Sequence, residues 1–486
     1  MLRTTGCLTL LCATTILVVA CSSTSATSTP GSVDASAPDA GSTAIDPTPD
    51  ELSTRGTCPA VTGTGTEHQG RISADETWSA AGGPHHVTAD LQILATVTLE
   101  PCTLVLVDTG VQISVGTSTD AGSIVGHGSA ELVAGVRDVR PVTFEASDTT
   151  APWAQLDVEA KGTLDLSIAA IQHGGAVTTG ERGALLVRGV TGGTNDGPIT
   201  PSTKVDRVLV EKSSSYGVNL EAWGAFATGS DNLWIRNGGS ADFPSAIRLE
   251  PGVAATLPTG LTASGNVKDE ILLLTSKTFQ RDDTLVNRGI PYRQHGAMYV
   301  NGSTDGAPVT LTIEAGVTLG FDDDAGTGMF IGSSDTRQGI LVAVGTPSAP
   351  IVFTSGKTTK APGDWLSLYF KSTPKTGSKI SYAHIEYAGG PSTTTGFGCG
   401  PSDNTSAVLI LGTGVATGGP SSSFIDNTTF DNIGGSSVIV SGWIDDNGPD
   451  FATGNTFGAS VGGCHVSKPR RTGAGDVCDG NRTTCW

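Results

Sequence analysis

Charge, aromatic side chains and helical patterning are all scarce in this 486-residue chain. Only 15% of residues are Asp, Glu, Lys or Arg, and 5% are Phe, Trp or Tyr. Long stretches rich in Leu, Glu, Lys and Ala at helical spacing are absent, which argues against a helical fold. Basic residues are outnumbered 28 to 47, for a net charge of −19. That balance argues against nucleic acid as a partner, because such proteins present a basic face. It suits cation binding or plain solubility at a surface. There is no Gly-x-Ser-x-Gly elbow, no His-Glu-x-x-His and no phosphate-cradling loop. The calcium-binding nonapeptide repeat is missing as well. No CxxC pair or His-Cys cluster points to zinc.

What is present begins with a leader. Met1-Leu2-Arg3 carries one positive charge, and an apolar run follows from Leu8 to Ala20. That run falls short of the roughly 20 residues needed to span a bilayer as a helix, and its layout is that of an export signal. Its end, Val18-Val19-Ala20-Cys21, resembles the lipobox of bacterial lipoproteins. The resemblance implies cleavage before Cys21 and lipidation of its thiol, with membrane attachment through the N-terminal lipid. Ser22 and Ser23 follow with no aspartate at the next position, which in that family implies the outer membrane or cell surface. From Ser22 to about Thr57 the chain is Ser, Thr, Ala, Pro, Gly and Asp with almost no large apolar side chain. Such a segment buries too little to offset its ordering entropy and is expected to be a flexible linker.

The remainder is rich in glycine, 66 in all, and in Thr, Val, Ser and Asp, which suggests strands joined by tight turns. Leaving aside the leader and Cys21, six cysteines remain: Cys58, Cys102, Cys399, Cys464, Cys478 and Cys485. An even number in an exported chain reads as disulfides. Cys58 with Cys102 is the favoured pair, pinning the start of the folded body. The other four would close among themselves and tie down the C-terminus.

Internal repetition is visible in four blocks whose order is kept. Thr96-Val97-Thr98-Leu99-Glu100-Pro101-Cys102 answers to Thr310-Leu311-Thr312-Ile313-Glu314-Ala315-Gly316. Pro141-Val142-Thr143-Phe144 answers to Pro350-Ile351-Val352-Phe353, and Trp153 to Trp365. The block Leu166–Gly175 answers to Ile380–Gly390, which aligns His173 with Tyr387. Shorter phrases recur too: Ile171-Gln172-His173-Gly174, Ile235-Arg236-Asn237-Gly238 and Phe430-Asp431-Asn432-Ile433-Gly434. Alternation as in Thr310-Leu311-Thr312-Ile313 is the strand signature. Gly or Asn at the bends supplies positive φ. Many short strands with bends between them are accommodated by stacked coils, whose inward side chains form one long core. A propeller would need a fixed blade period of roughly 40 to 50 residues, which is not found. A tandem of sandwiches is the competing all-β arrangement.

The second copy carries Leu311-Thr312-Ile313-Glu314-Ala315-Gly316-Val317, Gly339–Thr346, Pro350-Ile351-Val352-Phe353-Thr354-Ser355 and Gly363-Asp364-Trp365. This series resembles the parallel β-helix lipoproteins of the pectin-lyase-like superfamily. The first copy is weaker, with Cys102 where the glycine should stand. The resemblance implies an all-β, right-handed parallel β-helix with an internal duplication. The expected layout is a signal peptide over 1–20 and the lipid anchor with a disordered linker over 21–57. A first β-helix half over 58–282 and a second over 283–486 follow.

In the enzymes of that superfamily, chemistry sits on one outer face of the coil, with carboxylates around Ca²⁺ in the lyases and close aspartates in the hydrolases. Asp322-Asp323-Asp324 is the candidate for Ca²⁺, a hard ion that prefers oxygen; the bland reading is a solvated turn. No other cofactor is indicated. Asp282-Asp283 and Asp445-Asp446 are carboxylate pairs in loop-like surroundings, weak grounds for acid–base work. His85-His86 lacks a further ligand nearby in sequence, and the eight histidines, His384 included, do not cluster. Trp153 and Trp365 have the chemistry to stack on sugars, but their repeat positions suit a structural role. The favoured function is a non-enzymatic surface protein that binds polysaccharide, envelope material or another surface protein. A polysaccharide lyase or glycoside hydrolase is the first alternative, and a structural spacer the second. Fold alone does not decide among them. An enzyme calls for acids and bases converging on one groove, and a binder for an exposed aromatic row.

Overall fold

The computed structural model describes residues 42–176, 182–190, 198–274, 278–302, 307–322, 327–334, 336–371, 373–392, 404–411, 422–443, 448–461, 463–471 and 475–476. The leader, Cys21 and most of the linker therefore lie outside the described residues, as do Asp323, Asp324, Asp445, Asp446, Cys399, Cys478 and Cys485.

Alternating apolar residues in short Thr- and Val-rich segments form strands that stack in parallel, and the fold is an all-β parallel β-helix. Among the described residues the ladders gather into one sheet of 24 strands, one of 7 and one of 5. The coil is clearest in the second half, where each turn has three strands. Val309–Ile313, Thr318–Phe321 and Gly328–Ile331 make one turn, and Gly339–Val344, Ile351–Ser355 and Leu368–Phe370 the next. Each strand pairs in parallel with its counterpart one turn on.

Register places like on like. Tyr292, Leu319, Phe353, Ile385, Phe430 and Phe457 form one column. Met298, Met329, Leu368, Val408, Ile439 and Val466 form another. Leu285, Ile313, Ala343, Ile380 and Ile425 make the third. With the single exception of the half-buried Phe457, every one of these is buried. The ladder also runs without a break across the middle of the sequence: Ser245–Leu249 pairs with Lys268–Leu273, then with Tyr292–Gln294, then with Thr318–Phe321.

The repeat read from the sequence recurs as atomic detail. Trp153 and Trp365 are both buried. The indole N–H of Trp153 donates to the Gln172 carbonyl at 2.7 Å, and that of Trp365 to the Glu386 carbonyl at 2.8 Å. The aligned pair His173 and Tyr387 share φ values of 55° and 60°, and Ile168 and Tyr382 share 50° and 48°. The bends thus place non-glycine residues in the left-handed region, at Asn237 and Asn432 too. Cys102 has φ of 67° where its repeat partner Gly316 has 83°, and it is bonded to Cys58 as expected. Cys464 is also disulfide-bonded.

One expectation is corrected. Residues 42–57, assigned by composition to the disordered linker, form an ordered strap. Thr43–Ala44 adds to the antiparallel hairpin of Ser129–Val133 and Val136–Arg140. Pro49–Ser53 is a short helix with a complete capping box between Thr48 and Glu51. Leu52 is fully buried among Ala130 and Val139 of that hairpin and Ile168, Ala170 and Leu209, which point outward from the coil. Arg137 grips Glu51 with two bonds, of 2.6 and 2.8 Å, and Arg236 reaches Asp50 at 2.6 Å. A few well-placed contacts outweigh the ordering cost that composition alone suggests.

Candidate functional site

Side chains alternate between the two faces of a strand, so each coil that contributes an inward core residue also offers outward neighbours. In the long sheet one outward column runs Asp157, Leu186, Asn219, Arg248, Leu272 and Arg293 in consecutive register; Asp157, Leu186 and Asn219 are buried, and Arg248, Leu272 and Arg293 are the members that reach solvent in part. A neighbouring column carries Arg188 beside Glu221.

Three carboxylate–arginine pairs stand along this lane. Arg188 Nε donates to both oxygens of Asp157, at 3.0 and 3.2 Å, and lies 3.9 Å from Glu159. Arg248 pairs with Glu221 and donates to Asn219 Oδ1 at 3.1 Å. Arg293 pairs with Asp322, whose other oxygen meets His295 Nδ1 at 2.7 Å. From Asp157 to Asp322 the lane crosses six strand spacings; at ~4.8 Å each this is about 29 Å.

Asp157 is the deepest charged group of the lane. It is 1% exposed and also accepts from Gln112 Nε2 at 3.3 Å. Burial pushes its carboxyl up to about 6, against the opposing pull of Arg188. Loss of hydration penalises the charged form more than one guanidinium restores. Further along, Lys360 lies 3.6 Å from Glu386, which accepts from the Thr354 hydroxyl at 2.6 Å, and Lys357 donates to Asp364 at 3.0 Å.

The residues singled out from sequence are placed differently. Asp322 is paired with two cation-forming side chains, a setting unlike an oxygen cage for Ca²⁺. Among the described residues no group of three or more His, Cys, Asp or Glu could hold a metal. Asp282 and Asp283 separate, and the loop-like reading is corrected for Asp283. It opens the strand Asp283–Leu285, is buried and accepts from the backbone N–H groups of Gly252, Ala254 and Ala255. Burial raises it to about 6 as well. His85 is buried in a stack with Trp78 and His68, while His86 meets Asp108 at 2.7 Å. Trp153 and Trp365, being buried, present no surface to a sugar. An outward aromatic column does exist on the seven-stranded sheet, Tyr299, Phe330 and Tyr369. It is largely covered, with Phe330 at 7% and Tyr369 at 2% exposure, so among the described residues there is no exposed aromatic row.

Sequence reasoning missed Asp157, Arg188, Glu221, Arg248 and Arg293. The available signal was a lone charge inside an apolar strand, recurring about once per coil.

Residues 278–395 match the family model described as a pectate-lyase like beta helix domain. That span contains Arg293, His295 and Asp322 from the lane. No curated protein and no solved structure matches the chain.

Proposed function

We propose that this is an exported, lipid-anchored protein of the outer membrane or cell surface whose outward polar lane binds polysaccharide without cleaving it. The observation that carries the reading is the succession of carboxylate–arginine pairs along one face. Such a row offers a donor and an acceptor about every 10 to 14 Å along about 29 Å, which suits an elongated linear chain better than one small molecule. The match to a pectate-lyase-like β-helix domain supports a polysaccharide-related role. Pairing supports binding over turnover, since Asp157, Glu221 and Asp322 are each held by an arginine and none is left as an unengaged nucleophile or base. The leader and the Val18-Val19-Ala20-Cys21 sequence support the anchor.

Affinity electrophoresis of the oxidised chain from Ser42 onward, in gels cast with different polysaccharides, tests the binding. Retardation by at least one polymer is expected, weakened about tenfold or more in the Arg188→Gln, Arg248→Gln double variant. No release of reducing ends or unsaturated sugars is expected from the same polymer. Asp157, held near 6 with Glu159 two residues along, is the group that favours the second reading, a glycan-cleaving enzyme. Turnover abolished by Asp157→Asn would establish that reading and overturn the first. Fatty-acid labelling that survives Cys21→Ala would remove the anchor from the proposal.

A further inference from the structure

The first turn of the coil, Thr66–Ile72 and Glu76–Trp78, has a stacked neighbour on one side only. Among the described residues its strands pair just with His85–Ile93 and Thr96–Leu99 of the second turn. The core must therefore be closed at this end by side chains of the first two turns, and three rings do so. His68 lies in register with the buried Val87 and Trp78 with the buried Leu99, while His85 stands two residues before Val87 on the same inward side. We propose that the His68–His85 imidazole pair is an acid-sensitive latch, which accommodates one added proton and is broken by a second, freeing the first turn from the next.

Trp78 and His85 are 3% and 4% exposed, and His68 is half-buried. Both imidazoles stack on the indole, with ring centres 4.1 Å away for His68 and 4.9 Å for His85. His68 Nε2 and His85 Nδ1 are 3.0 Å apart, and His85 Nε2 is 3.1 Å from the Ser79 carbonyl oxygen. A carbonyl only accepts, so His85 Nε2 carries the hydrogen. In a neutral ring Nδ1 is then bare and accepts from His68 Nε2–H, which leaves His68 Nδ1 bare in turn. The result is a one-way chain from His68 through His85 to Ser79, crossing twice between the first turn and the second.

One proton added at His68 Nδ1 disturbs neither bond. The next must go to His85 Nδ1, where it meets the His68 N–H head on, and two cations then face each other with little water between them. Burial is the main force holding both rings below the usual histidine value of about 6.5. The neighbouring His85 adds to it for His68, the Ser79 carbonyl opposes it for His85, and the Glu76 carboxylate opposes it for both. Glu76 is itself held by the Trp78 indole N–H at 2.9 Å. Of the other charged groups on these strands and their turns, Glu67, Arg71, Asp75 and Asp90 are exposed, and His86 meets Asp108 on the outer face. Because the native values are lowered, the stability this pair contributes is present in full above about pH 6.5 and is lost as pH falls below it through those values. The latch is closed at neutral pH and opens in acid.

The test is a titration of the whole oxidised chain from about pH 8 to about pH 4, following imidazole nitrogen resonances and amide hydrogen exchange together. His68 should charge first and His85 in a separate, more acidic step. With that second step the amides of Thr66–Ile72 and Glu76–Trp78 should exchange about tenfold faster or more, while those of Thr200–Glu211 keep their protection. His68→Gln removes the opposing cation and should carry the loss about one pH unit lower, and His85→Gln should abolish it. His86→Gln, on the outer face, should leave it unchanged. If His85→Gln is already unprotected at neutral pH, His68→Gln alone decides. Both imidazoles charged with the first turn still protected, protection kept throughout the titration of the unaltered chain, or a loss of unchanged midpoint in His68→Gln would each overturn the proposal.

Discussion

Two aspartates in this fold reverse the usual relation between acid groups and stability. Asp157 and Asp283 have carboxyls that burial raises to about 6, against roughly 4 in an unfolded chain. Between these values the native state holds protons that the unfolded state has released. Stability supplied by the raised groups is therefore complete below about pH 4 and is lost as pH climbs through 6. Two units correspond to about 3 kcal/mol per group as an upper figure. Denaturant titrations from pH 4 to 7 should show this decline, and Asp157→Asn should flatten its share. An unchanged slope in that variant would contradict the burial argument. Cys102 offers a second test at this scale. Removing the disulfide as Cys58→Ala, Cys102→Ala should cost about 4 kcal/mol, from a closed loop spanning 44 residues. Because residue 102 has φ of 67°, Cys58→Ala, Cys102→Gly should be less damaged, by about 1 kcal/mol. Much at this scale was legible in advance. The alignment of Cys102 with Gly316 already implied a left-handed residue, and the Cys58–Cys102 bond was expected. That Ile168 adopts φ of 50° was not legible, because a β-branched side chain gives no hint of it; the stacking of coils imposes the bend.

The strap is the element on which sequence and structure part. Its apolar content is little more than Ile45 and Leu52, so composition reads it as linker. The local signal was present all the same, in Thr48-Pro49-Asp50-Glu51, which combines a capping threonine, proline at the first helical turn and glutamate three residues on. What could not be read is that residues of distant strands, such as Val139 and Leu209, form a receptor for Leu52. Leu52→Ala should cost about 3 kcal/mol. Its hydrogen-exchange signature should be confined to residues 42–58 and the hairpin Ser129–Arg140, leaving later coils protected. Arg137 holds Glu51 down at about 2, with burial opposing it, so the ionic part of this attachment should persist to about pH 3 and fail only below. Uniform deprotection along the coil in the Leu52→Ala variant would show that the strap is not a separable unit. The lane was harder still to foresee. Each coil supplies one or two of its charges, about thirty residues apart, and only register brings Asp157, Arg188 and Glu221 side by side.

At the scale of the whole molecule, the question is whether coils melt together or in blocks. A solenoid is held by contacts between neighbouring turns, so its cooperativity is as strong as its weakest junction. The duplication invites the view of two halves meeting near residue 282. Yet the ladder passes through that region in register, from Leu249 to Leu273 to Gln294 to Phe321, and Tyr292 is fixed there by a bond from its hydroxyl to the Val286 carbonyl at 2.8 Å. Leu273 is 1% exposed in this junction, whereas its neighbour Leu272 points outward. A buried charge without a partner costs several kcal/mol, which exceeds what adjoining turns recover by staying stacked. Leu273→Asp should therefore convert a single calorimetric transition into two, with the lower one belonging to the coils around the substitution. Leu272→Asp, on the outer face, should leave one transition shifted by only a few degrees. A single sharp transition in Leu273→Asp would mean that coupling extends well beyond adjacent turns, and stability would then be a property of the entire stack.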